Sequence, residues 1–211
     1  MKRIIPLFLL VFCMAFGATA QHERVVTIEN IPETNEEFQI LRSKLSETPE
    51  GSASLFILAL HLFQEDDVQG NEALISMLDK DLLIGNLGKY SYNGYGMQVK
   101  EFQKIQKQLK KYPYIPASYF PEAKSANKYA VPPVPFDLVF IKNLYSGSEY
   151  AGKVKYFIKS NGAKKIRPIS LRRNSKGRWL VTEYGPILAR VVPPVKPKPE
   201  SKEEEEEPSQ P

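Results

Sequence analysis

Residues 55–63 read Leu-Phe-Ile-Leu-Ala-Leu-His-Leu-Phe. A helix that is apolar nearly all round is stable in water only when neighbours cover it on several sides. The lead-in Thr48-Pro49-Glu50 supplies a hydroxyl cap, a proline for the first turn and an acid for the positive helix end. The segment therefore predicts a central, buried helix, and the rest of the fold has to wrap it.

Three further helices are predicted upstream and downstream. Thr34 and Glu37 form a capping box ahead of Phe38, Leu41 and Leu45, which share one face. Residues 71–78 read as a shorter helix, and Met97 to Lys111 as another, with Val99, Phe102, Ile105 and Leu109 on one side. The pattern changes across the proline-rich stretch 113–135, after which strand periodicity takes over. Residues 136–144 are β-rich, 153–159 alternate as a half-exposed strand does, and 165–173 form a third strand whose Pro168 calls for an edge or a bulge. Asn174-Ser175-Lys176-Gly177 is a hairpin turn into Trp179-Leu180-Val181, with 187–192 as a short fifth strand. The expected class is α+β: about four N-terminal helices packed on a C-terminal antiparallel sheet of four to five strands, in one domain over residues 21–192.

The two ends read differently. Lys2 and Arg3, the apolar run 4–17 and Ala18-Thr19-Ala20 have the order of a secretory signal peptide over residues 1–20. The run is too short for a membrane span, which needs about 20 apolar residues. Phe12 is too bulky, and the apolar run too long, for Cys13 to be a lipid-anchor site. The expected location is periplasmic or secreted. Cys13 is the only cysteine and departs with the leader, so a core rather than disulfides must hold the mature chain. Residues 193–211 carry prolines and five consecutive glutamates, the composition of a disordered acidic tail.

Charge is strongly segregated. From residue 21 to 95, 5 lysines and arginines stand against 13 aspartates and glutamates; from 96 to 192 the figures are 19 and 5. Lys100, Lys104, Lys107 and Lys111 recur at helical spacing. Lys153 and Lys155 share a strand face, and Arg172, Arg173 and Arg178 crowd one hairpin. Tyr92, Tyr95 and Tyr114 lie in loops beside the last helix. These residues are the candidate ligand contacts, toward an anionic glycan, a lipid headgroup or an acidic protein. Nucleic acid is disfavoured, since no recognition motif is present. His22, expected in a frayed N-terminus, and His61 lack metal-site spacing, so no metal or cofactor is expected. Glu65-Asp66-Asp67 and Asp79/Asp81 are the acidic clusters legible in sequence, both at helix ends where acids cap or solvate. The favoured reading is a non-enzymatic exported binding protein. The alternatives are a carboxylate-dependent hydrolase and a subunit of an envelope assembly.

Several segments carry a resemblance. They are Thr48-Pro49-Glu50-Gly51, Tyr92-Asn93-Gly94-Tyr95-Gly96, residues 112–119 (Tyr-Pro-Tyr-Ile-Pro-Ala-Ser-Tyr), Tyr145-Ser146-Gly147, Arg167-Pro168-Ile169 and Gly177-Arg178-Trp179. In order and spacing the chain resembles an uncharacterised family of secreted bacterial proteins, a domain of unknown function, over nearly all of residues 30–194. The resemblance implies an envelope or secreted protein and brings no activity or site residues.

Overall fold

The computed structural model describes residues 22–195; the leader and the acidic stretch of the tail lie outside the described residues. The element order is β1 (His22–Ile28), α1 (Asn35–Leu45), α2 (Pro49–Glu65), α3 (Asp67–Met77), β2 (Leu83–Gly85), β3 (Tyr95–Met97), α4 (Val99–Lys111), β4 (Phe136–Lys142), β5 (Gly147–Ser148), β6 (Lys153–Ile158), β7 (Arg167–Arg173) and β8 (Trp179–Glu183).

The apolar run lies in α2, whose side chains from Leu55 to Leu60 are fully buried. Thr48 caps it through Oγ1, which accepts the Gly51 N–H at 3.1 Å. The helix packs on α1 and α3 on one side and on β1, β6, β7 and β8 on the other. That many-sided contact is the reason it needs no polar stripe. Truncating a side chain such as Phe56 or Leu58 to alanine costs about 2–5 kcal/mol by cavity formation. Asp66 ends α2 and begins α3, its Oδ1 accepting the N–H groups of Val68 and Gln69. A single residue thus turns the corner between two packed helices.

The main sheet corrects the expected architecture. It has six strands, not four or five, and is not confined to the C-terminal half. The order is β1-β4-β6-β7-β8, all antiparallel, with β5 pairing on β6. β1 comes before the helices, and its seven residues pair along the whole of β4, from His22 opposite Lys142 to Ile28 opposite Phe136. Its sequence hid this because it is an edge strand that buries only Val26 and Ile28. The charges of Glu23 and Arg24 belong to a strand that must not recruit another edge. The segment expected to fray is therefore ordered. The two-residue β5 is too short to leave a periodic signal. β2 and β3 form a separate hairpin between α3 and α4. The expected fifth strand at 187–192 is not one: Gly185–Leu188 is a 3-10 turn, started by Pro186 and burying Ile187 and Leu188. Pro168 sits inside the sheet opposite Phe157, and the register shift falls at Ser170/Leu171.

Alternation assigns the two sheet faces. Val154, Tyr156 and Ile158 are buried toward α2, whereas Lys153, Lys155 and Phe157 point the other way. In the paired register Phe157 lies between Ile141 and Pro168, and Ile141 lies opposite Glu23. Val25 and Val139, paired with each other, are exposed on that outer face.

Candidate functional site

The charged residues of the basic half do not form one patch. Lys100, Lys104, Lys107 and Lys111 are exposed on α4, which packs on the helical side through Phe102 against Phe63 of α2. Lys104 lies 4.0 Å from Glu101 and 5.1 Å from the Tyr184 ring, and Lys111 lies 5.3 Å from the Tyr112 ring. Lys153 and Lys155 are on the opposite face of the sheet.

The three arginines are committed to the fold. Arg172 reaches over β8 and forks onto Asp79, donating Nε–H to Oδ2 at 2.9 Å and Nη2–H to Oδ1; Nη2 also meets Asp81 at 2.7 Å. The Asp79 side chain is only 6% exposed and that of Arg172 33%. Burial opposes the charge on Asp79, but the Arg172 fork and the Asp81 N–H together hold its carboxyl below the ordinary range. The Asp79 N–H donates to the Val181 carbonyl at 2.9 Å, so the pair seals the outer edge of β8. Arg178 donates to the Ser43 carbonyl at 2.7 Å and the Ser46 hydroxyl at 3.1 Å, tying the β7–β8 turn to the end of α1. Arg173 covers the Trp179 ring at 5.8 Å.

The tyrosines separate similarly. Tyr92 is half-buried against the core, and Tyr114 stacks on Tyr129 at 5.2 Å and 8°. Tyr95 is exposed. Tyr145, not among the candidate contacts read from the sequence, is 87% exposed at the rim of the outer face.

An open groove of about 350 Å³ runs over that outer face. Tyr145 and Ser146 wall one end, Lys153 and Lys155 of β6 and Ser170 and Arg172 of β7 make the floor, and Thr182 and Glu183 of β8 close the other end. Glu183 accepts the Ser170 hydroxyl at 2.9 Å. Among the described residues, Lys153 and Lys155 have no carboxylate within ion-pairing distance.

One pairing of acids was invisible in sequence. Glu50, at the start of α2, and Glu149, in the β5–β6 turn, meet at the Tyr156 hydroxyl, which lies 3.4 Å from one and 3.0 Å from the other. They line a corner of about 310 Å³ with Thr48, Arg173 and Trp179. Burial first, then these two carboxylates, push the Tyr156 hydroxyl well above its ordinary range. Glu149 is itself disfavoured by burial but held below its usual value by Lys142 at 3.0 Å and by Tyr156. The two acids are 99 positions apart in the chain, so no spacing could have joined them. The arrangement clasps the α2 N-terminus to the sheet. His61 packs edge-on against Phe120 at 5.3 Å, and burial lowers its pKa, favouring the neutral form.

Among the described residues, no group of three or more His, Cys, Asp or Glu side chains is placed to hold a metal ion, and no helix is long and apolar enough to cross a membrane. The described residues thus form an α+β domain with a sheet face that none of their elements covers. Residues 30–195 match the family described as domain of unknown function DUF6935, and the chain belongs to that family. No curated protein and no solved structure matches the chain.

Proposed function

We propose that this is an exported binding protein of the bacterial envelope or its surroundings, and that it holds an acidic glycan chain against the outer sheet face. The observation that carries the reading is the pair Lys153 and Lys155, which project onto a face that no described element covers and have no carboxylate partner among the described residues. Lys159 follows just past the end of the strand and is exposed. Between the cations lie Phe157, Ile141 and Pro168, half-buried and flat. A sugar chain has both features to match: carboxylates or sulfates for the lysines, and C–H ring faces for the apolar centre. The leader-like first 20 residues support export. A binding role, rather than hydrolysis, is supported by Glu149, whose Oε1 is held by Lys142 and by the Tyr156 hydroxyl that stands between it and Glu50.

Calorimetric titration with heparin as the probe polyanion tests this. K153E/K155E should weaken binding strongly, while K100E/K107E on α4, an equal change in net charge, should weaken it little. Equal losses from the two variants, or binding confined to vesicles of anionic lipid, would overturn the glycan reading. Sequencing the N-terminus of the native protein tests export, the expected first residue being Gln21.

A further inference from the structure

We infer that the groove between α3, the β2–β3 hairpin and α4 is a second binding site, built for an uncharged sugar. It encloses about 320 Å³, at the small end of ligand pockets. Its floor and walls are Asn71 of α3, Ile84, Tyr90 and Met97 of the hairpin, and Val99 and Phe102 of α4; Asn86, Gln103 and Gln106 stand at the rim. No lining residue is charged.

The floor residue carries the argument. Asn71 is 1% exposed, yet neither its Oδ1 nor its Nδ2 has a hydrogen-bond partner among the described residues. An amide buried without partners is disfavoured by desolvation, and buried polar groups in folded proteins are nearly always paired. Its helix neighbours Ala73, Leu74 and Ile75 are apolar and buried, so alanine or leucine would suit the position better if packing were all it did. Of the amides at the rim, Asn86 is already used: it accepts the Gly88 N–H at 2.9 Å and donates to the Tyr90 carbonyl at 3.3 Å.

The ligand chemistry follows from the lining. One carboxamide offers a donor and an acceptor side by side. Vicinal hydroxyls of a pyranose match it, one donating to Oδ1 and its neighbour accepting from Nδ2. The ring's C–H face then lies on Ile84, Met97, Val99 and Phe102; Val99 is 62% exposed and gains cover. Gln103 and Gln106, one turn apart and exposed on α4, reach the outer hydroxyls. The neutral lining gives a carboxylate, phosphate or ammonium group no counter-charge in exchange for its hydration. The hairpin loop is braced over the site, with the Tyr90 hydroxyl donating to Asp67 at 2.9 Å and its ring 4.8 Å from Phe102.

NMR titration of the 15N-labelled protein with glucose, galactose and mannose tests the inference, with glucuronic acid and glucosamine as charged counterparts. At least one neutral sugar should shift the Asn71 side-chain amide saturably at millimolar concentration, and the charged sugars should bind more weakly. Asn71→Leu should abolish the response while keeping or raising thermal stability. Gln103→Ala/Gln106→Ala, at exposed positions that leave the fold intact, should weaken binding by about tenfold for the loss of two neutral hydrogen bonds. The inference is overturned if no neutral sugar gives a saturable shift. It is equally overturned if the Asn71 amide shows exchange with a resident water that every sugar leaves in place, or if the glutamine double variant binds like the parent. K153E/K155E should leave this response unchanged, so its outcome is separate from that of the sheet face.

Discussion

Gly70 offers a test in which helix propensity and tertiary packing predict opposite signs. It lies within α3, where replacing glycine by alanine ordinarily stabilises a helix by about 1 kcal/mol. A Cβ added there would stand 2.0 Å from the Cα and 2.1 Å from the N of Phe63 in α2. These are backbone atoms one tight turn away, so no side-chain rotation can relieve the overlap. Ordinary contact begins at 3.4 Å, and α3 would have to back away from α2 by most of that difference. Overpacking of this kind costs about 1–3 kcal/mol, and contact with backbone puts Gly70→Ala at the upper end. With the propensity gain subtracted, the net loss is about 2 kcal/mol. At about 2–4 °C per kcal/mol for a domain of this size, Tm falls by about 4–8 °C. Urea unfolding and thermal melts followed by circular dichroism measure both quantities. Gly85→Ala, where the added Cβ meets nothing within 4 Å, is the control and should stay within about 0.5 kcal/mol of the parent. A Gly70→Ala protein as stable as the parent, or more so, would refute the close approach of α2 and α3.

Two further predictions concern charge. Arg172→Met strands the buried Asp79 carboxylate and should cost about 2–3 kcal/mol in urea unfolding, between the value of a buried pair and that of a surface one because Arg172 is partly exposed. Asp79 has a depressed pKa, so the pair contributes fully above the unfolded aspartate value near ~3.9 and fades as pH falls through the lower folded value. The deficit of the variant should therefore shrink in acid. His61 has a pKa lowered by burial, so its neutral form is favoured in the folded state, and stability is lost as pH falls below the unfolded value of about 6.5. His61→Phe should lose less stability than the parent between pH 7 and pH 5, measured by the same unfolding assay.

Local features were legible without coordinates. Thr34 and Thr48 cap their helices, and the run from Leu55 to Phe63 is the central helix. The alternation of residues 153–158 is the half-exposed strand it resembles. Each of these signals is written within a few residues, because hydrogen-bond caps and side-chain periodicity act over one or two turns. The candidate site was legible only in part. Lys153 and Lys155 share a face, as their spacing implies, whereas the contacts of Arg172 with Asp79, of Arg178 with Ser43 and Ser46, and of Arg173 with Trp179 depend on how the chain folds back on itself.

What the sequence determined by itself was the four helices, the strands β4, β6, β7 and β8, and the overall imbalance of charge. Tertiary structure alone decided that β1 returns to pair with β4, that Arg172 meets Asp79 across 93 positions, that Glu50 and Glu149 converge on Tyr156, and that Asn71 is buried without a partner among the described residues. The physical reason is that pairing and burial depend on which surfaces are brought together when α2 is enclosed. Enclosure is a property of the whole chain, and no window of neighbouring residues contains it.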